Sequence, residues 1–216
     1  MAILAFDVET DRLLDSSRTN FGDLRITVAA ASEVGRGRAA ASSFYADPVG
    51  SDEPPLSGLA DALEGACTVV AFNGRGFDMR VLRNHFASEA VERWTRKLID
   101  PFEAMREHTG SWVKLDELLE ANGLAQKSGD GVSAVEWWAA GERRKVADYC
   151  CQDVEGLRRL LELGKIAFPV KRWQDTGEGR KRHQVVTGWA ELDWDRHVAQ
   201  QQGMHPSVHK AYPIPF

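Results

Sequence analysis

The sequence predicts an α/β protein: a mixed central β-sheet flanked by helices, with a C-terminal extension. Three observations carry this. The chain opens with a nearly continuous apolar run from Ala2 to Val8, which suits a central strand buried on both faces. Two strand-like runs joined by a turn come next, and short β-branched runs then alternate with segments of helical periodicity. From Phe168 onward the texture changes, with Trp173, Val185, Val186, Trp189 and Trp194 interleaved with charges.

The elements follow in order. Strands are expected over 24–32 and 39–46, joined as a hairpin by the Gly-containing connection Glu33 to Arg38. Residues 47–55 hold Pro48, Gly50, Pro54 and Pro55 and read as a loop, before a helix over about 56–65 that ends near Gly65. Cys67 to Phe72 reads as a buried strand and Asn73 to Gly76 as a loop, while Asp78 to Phe86 has helical spacing. Lys97 to Ile99 is a short strand, and Asp100-Pro101 is an N-cap followed by proline in the first turn. Helices are expected over 101–108 and 114–122, with a Gly-rich loop near 123–131. A long helix should run from Glu142 to Gly164 on a stripe of Val146, Val154, Leu157, Leu160 and Leu161. The extension is expected to hold a hairpin over 181–194 and an irregular tail.

Bulk properties narrow the class. At 216 residues and 43% hydrophobic, the chain has room for a packed domain with an appendage, divided here as 1–167 and 168–216. No run approaches the roughly 20 apolar residues that span a bilayer. The apolar start is too short for a signal peptide and is cut off by Asp7, so a cytoplasmic location without membrane partners is expected. Cys67, Cys150 and Cys151 lack framework spacing and read as reduced thiols. No Cys/His spacing matches a zinc site, so any metal should be oxygen-bound. A net charge of −5 disfavours a nonspecific nucleic-acid coat. It is compatible with a nuclease, whose acidic ligands count against the total. The basic run Lys171, Arg172, Arg180, Lys181, Arg182 and His183 is either a solvated surface or a phosphate contact.

Four carboxylates in three motifs carry the chemistry. Asp7 and Glu9, in Phe6-Asp7-Val8-Glu9-Thr10, stand two apart on a strand and share one side. Two carboxylates there are costly unless paired or metal-bound; the ordinary alternative is a strand end already in solvent. Asp78 closes Asn73-Gly74-Arg75-Gly76-Phe77-Asp78 and by itself reads equally as a helix cap. Tyr149 and Asp153 are four apart on a helix, about 5–6 Å from each other on one face. Alone, that pair also suits a helix–loop hydrogen bond.

Taken in order, these motifs resemble those of the DEDD superfamily of 3′–5′ exonucleases, which have a ribonuclease-H-like fold. Asp7-Val8-Glu9-Thr10 is similar to the first exonuclease motif, Asn73 through Asp78 into Val81-Leu82 to the second, and Tyr149 through Asp153 to the third in its tyrosine variant (DEDDy). Asp148 and Tyr149 speak against the histidine variant. The resemblance is closest to bacterial predicted polymerase-B-related 3′–5′ exonucleases and covers roughly residues 1–165. It implies two Mg²⁺ or Mn²⁺ ions about 3.5–4 Å apart. Asp7 is to bridge both, Glu9 and Asp153 to complete one site, and Asp78 to hold the second ion partly through water. Tyr149 is to position the attacking water; an unperturbed phenol, with a pKa of about 10, is a poor base at neutral pH.

Substrate contacts are expected from Thr10, Asn73, Phe77 and Lys127, the last in the loop Lys127-Ser128-Gly129-Asp130-Gly131, which otherwise is an ordinary connection. Phe77, Trp137 and Trp138 suit either base stacking or core packing. The implied activity is hydrolysis from the 3′ end of single-stranded DNA or RNA. Two other readings compete: a nucleic-acid-binding or partner-recruiting module with weak or no catalysis, and a structure-specific endonuclease on the same fold.

Overall fold

The computed structural model describes residues 2–17, 19–35, 40–125, 131–175 and 182–202. Strands β1 (Ile3–Thr10), β2 (Ile26–Val34) and β3 (Ser42–Tyr45) come first, then α1 (Leu56–Gly65), β4 (Thr68–Val70), α2 (Asp78–Leu82), α3 (Ser88–Lys97) and β5 (Leu98–Ile99). Helices α4 (Pro101–Thr109), α5 (Leu115–Ala121), α6 (Gly131–Ala139) and α7 (Arg143–Glu162) follow. The described chain closes with β6 (Lys165–Asp175), β7 (Arg182–Asp193) and α8 (Trp194–Gln201).

The main sheet has the order β3-β2-β1-β4-β5. β1 pairs antiparallel with β2 and parallel with β4; β2–β3 is antiparallel and β4–β5 parallel. This is the expected mixed sheet. β1 sits at its centre because it can bury both faces. Leu4, Phe6 and Val8 enter one core layer with residues of α1, α2 and α3, among them Leu59, Leu63, Met79, Leu82, Val91 and Trp94. Ala5 enters the other layer with Val146, Cys150, Val154 and Leu157 of α7. Side chains alternate along a strand, so Asp7 and Glu9 continue the face on which α7 packs.

β4 pairs with β1 only as far as Ala5↔Val70. Beyond it, the edge of β1 is open toward the loop after β4. That gap is what makes room for a site at the carboxyl ends of the parallel strands.

Helices α3, α6 and α8 and the strands of the C-terminal ribbon differ from the sequence reading. Helices α3 and α6 stand where no element was expected, and α8 replaces the start of the irregular tail. The hairpin expected over 181–194 is one arm of a longer two-stranded ribbon, whose register runs from Lys165↔Asp193 to Asp175↔Arg182. Its root is tied to the body. Ile166 and Phe168 are fully buried among Leu160, Leu161, Trp194 and Val198. The side-chain amide of Asn122, the C-cap of α5, both donates to the Ala167 carbonyl (2.8 Å) and accepts from its N–H (2.9 Å). Phe168→Ala should therefore destabilise the whole chain by about 3–5 kcal/mol in denaturant unfolding, as for a core phenylalanine. A loss below about 1 kcal/mol would mean that the ribbon root carries no core packing.

Candidate active site

The structure brings the three motifs to one open cleft of about 270 Å³. Asp7, Glu9, Asp78 and Asp153 line it, together with Thr10, Asn73, Phe77 and Tyr149. Each arrives for a separate local reason.

Asp7 and Glu9 project from the α7-facing side of β1 at its carboxyl end, where the strand outruns β4. Asp78 is the first residue of α2; the N-cap position is Phe77, which makes no side-chain cap. Asp78 Oδ1 accepts the Val8 N–H at 3.1 Å, filling the backbone position on the β1 edge that β4 leaves open. The second motif is thereby fastened to the first, between Asp7 and Glu9. Tyr149 and Asp153 are buried on the inner face of α7. Trp137 on α6 packs edge-to-face with the Tyr149 ring, with centroids 6.0 Å apart and planes at 70°.

The second-motif loop is tightly built. Asn73 has φ 61°, in the left-handed region that non-glycine residues seldom occupy. A Cβ on Gly76 would sit 2.4 Å from Asn73 Oδ1, and one on Gly74 would sit 2.5 Å from Ala71 Cβ. Both glycines are required by close approach. Phe77 lines the cleft and leans on Phe21, with ring centroids 6.1 Å apart.

Thr10 is buried, and its hydroxyl donates to the Arg12 carbonyl at 2.8 Å. That bond shapes the turn after β1, and only the oxygen's acceptor capacity is left for a ligand. Lys127 lies outside the described residues. Trp137 and Trp138 are half-buried against the core and are absent from the cleft lining. Trp138 instead lies under the Arg143 guanidinium at 4.3 Å.

Cys150 was not anticipated in the site. Its buried Sγ lies 3.5 Å from the Asp7 carbonyl oxygen and 3.6 Å from Asp7 Oδ2. Ligand atoms of Asp7, Glu9 and Cys150 all lie within 4.8 Å of one another. Burial pushes the Cys150 thiol well up, and the neighbouring Asp7 and Glu9 charges add to this. It therefore stays protonated and donates toward Asp7. Cys151, on the next face of α7, is also raised by burial, to about 11, whereas Cys67 is exposed. In the native protein a disulfide reagent should modify Cys67 first and leave Cys150 intact until unfolding. Stoichiometric labelling of Cys150 in the native state would contradict this packing.

Electrostatically, the site is a concentration of negative charge. Burial pushes the Asp78 carboxyl well above the usual carboxylate range, and the nearby Asp7 and Asp100 charges push it the same way. No described lining residue is basic. The oxygen donors of Asp7 and Glu9, close together on β1, with Asp78 and Asp153 on the same cleft wall, form a donor set that suits a hard divalent cation such as Mg²⁺ or Mn²⁺. Without such a cation, the cleft would repel a phosphate.

The comparisons agree with this architecture. A family model described as the RNase_H superfamily matches residues 4–163. No curated protein sequence matches the chain. Among solved structures, a family B DNA polymerase from the hyperthermophilic archaeon Pyrobaculum calidifontis aligns with TM-score 0.52 at 18% identity, over 74% of this chain and 24% of the polymerase. The metal-free form of the E. coli ExoI–ssDNA complex aligns with TM-score 0.45 at 15% identity, over 75% of this chain and 39% of that protein. The chain thus spans about a quarter of the polymerase and two fifths of the ExoI protein, and the likeness to the polymerase concerns the fold alone. With the sheet order, the cleft at its centre and the match over residues 4–163, the chain belongs to the RNase_H superfamily.

Proposed function

We propose that this protein is a metal-dependent 3′–5′ exonuclease of the tyrosine-type DEDD class, which hydrolyses single-stranded DNA or RNA from the 3′ end. The observation that carries the reading is the meeting of Asp7, Glu9, Asp78 and Asp153 with Tyr149 in one cleft, although they come from β1, α2 and α7. Four carboxylates on the wall of one cleft form a donor set that a hard divalent cation would suit.

In this reading Asp7 and Glu9 hold divalent ions from β1, Asp153 from α7 and Asp78 from α2. When bound, two such ions supply charge neutralisation at the scissile phosphate and a more acidic water. The chain's own groups do the rest. Tyr149, wedged by Trp137, orients the attacking water through its hydroxyl. Cys150 holds Asp7 in place from beneath. Asn73 and Phe77, both on the cleft wall, suit contacts to the sugar or base of the terminal nucleotide. We assign the catalytic residues to 1–167; β6 crosses the boundary to 168–216, and Phe168, Trp194 and Val198 share the core of the catalytic unit.

Polarity and product size test the reading. With Mg²⁺ or Mn²⁺, a 5′-labelled oligonucleotide should shorten as a ladder, and a 3′-labelled one should release labelled mononucleotide at once, both blocked by EDTA. Internal fragments would make the protein an endonuclease. Absence of cleavage on DNA and RNA with either metal would remove the catalytic reading.

A further inference from the structure

Asp100 is the first residue after β5 and the N-cap of α4, where its side chain accepts the Phe102 N–H at 3.1 Å. A cap needs no more than that. Yet the same carboxylate reaches back 27 and 25 residues: Oδ1 accepts the Asn73 N–H at 2.9 Å, and Oδ2 accepts the Arg75 N–H at 3.2 Å. Asp100 is 5% exposed, so these bonds form away from water, where charge-assisted bonds to backbone N–H groups are strong.

The loop it grips needs holding. Asn73 sits at φ 61°, a conformation that costs on the order of 1 kcal/mol or more and persists only when its surroundings over-determine it. Arg75 adds a second strap through its side chain, 3.0 Å from Glu103 of α4. Within the loop, the Phe77 N–H donates to the Asn73 carbonyl and the Met79 N–H to the Gly74 carbonyl. The position of Asn73 is thus passed along the turn to Asp78, and from there to Val8 on β1.

We propose that Asp100 is a positioning residue: it fixes the turn from Asn73 to Asp78 so that Asn73 and Asp78 keep their places on the cleft wall, a task separate from capping α4. The inference rests on the exonuclease reading for its effect on rate, but the clamp can be observed without it. Burial raises the Asp100 carboxyl to about 6. It is therefore ionised at pH 7.5, with both oxygens able to accept.

Asp100→Ser separates the two tasks. Serine is a good N-cap, so α4 keeps its Phe102 bond, but a hydroxyl cannot serve the two loop amides as well. Backbone amide exchange by NMR should show protection at Asn73 and Arg75 reduced by about tenfold or more, with Phe102 unchanged. In the oligonucleotide assay, kcat should fall by about 10–100-fold, the range for residues that orient metal ligands. The Mg²⁺ concentration for half-maximal rate should rise, and the melting temperature should move little. Asp100→Asn, which retains one carbonyl acceptor, should fall between the two. Unchanged protection at Asn73 and Arg75, or equal losses at Phe102, would reduce Asp100 to a cap and overturn the proposal. So would wild-type kcat in Asp100→Ser. An inactive wild-type protein would instead count against the exonuclease reading, and the exchange data would still decide the clamp.

Discussion

Asp7→Asn should slow oligonucleotide hydrolysis by about a thousandfold or more in Mg²⁺, which is about 4 kcal/mol of lost transition-state stabilisation. The substitution keeps size and shape, so packing around β1 and the Cys150 contact can persist. What it removes is the charge at the centre of the carboxylate group: Asp7 is the residue that approaches Cys150, raises Asp78 and shares its strand face with Glu9. Loss of that charge weakens metal binding and leaves the phosphate facing a cleft that cannot neutralise it. Fold stability should hold or rise, because a like charge near buried Asp78 is gone. Steady-state rates with a 5′-labelled oligonucleotide, beside thermal melts of the same preparation, check both halves. A variant within tenfold of wild type would remove Asp7 from the machinery.

Asp78→Asn should also lose activity, and it should make the metal-free protein more stable. Burial and the Asp7 charge hold the Asp78 carboxyl well above its unfolded value of 3.8. The folded protein therefore keeps a proton that the unfolded chain releases above about pH 4. Apo stability attributable to this residue is intact below that value and declines as pH rises toward the raised one. Each unit of that rise is worth about 1.4 kcal/mol, and 1 kcal/mol moves the melting temperature by about 2–4 °C in a chain of this size. Asparagine keeps an oxygen for the Val8 N–H and carries no charge, so the variant should melt several degrees higher than wild type at pH 8 in EDTA. At pH 4 the two should nearly coincide. Adding Mg²⁺ should reverse the order at pH 8, since the cation stabilises the carboxylate form only. A variant that melts lower than wild type in EDTA at pH 8 would show that Asp78 contributes structure rather than storing an electrostatic cost for function.

Much of the site could be read from local pattern. Strand alternation puts Asp7 and Glu9 on one side, helical spacing puts Tyr149 and Asp153 on one face, and Asp100 before Pro101 reads as a cap; joining the motifs into one site rests on their resemblance to the exonuclease motifs. The limits of α1, which ends at Gly65, were also legible. What escaped depends on contacts between segments. Asp78 reads as a cap because it begins a helix, but its carboxylate also bonds the open edge of β1. Cys150 shares a helix face with Asp153 three residues on, a signal present in the sequence. Its approach to Asp7 depends on how α7 is rotated against β1. The clamp by Asp100 joins segments 25 and 27 residues apart.

The missed helices have local causes. α3 buries only Val91 and Trp94 and is otherwise dominated by charge, so its apolar stripe is thin. α6 opens at Gly131 and carries Val132, Val135 and two tryptophans, a composition that favours neither helix nor strand. β6 contains Pro169, which argues against a strand in sequence. The structure accommodates it in a two-stranded ribbon, opposite Trp189. That ribbon's outer surface leaves Trp173, Val186 and Trp189 more than half exposed.

The central claim is that Asp7, Glu9, Asp78 and Asp153 act together as one metal site. Anomalous diffraction from a crystal soaked in Mn²⁺ tests it most directly. The account predicts two manganese peaks about 3.5–4 Å apart, with carboxylate oxygens of Asp7 and Asp153 in direct contact. Manganese bound only at surface carboxylates away from this cleft, with none beside Asp7 at saturating concentration, would contradict it.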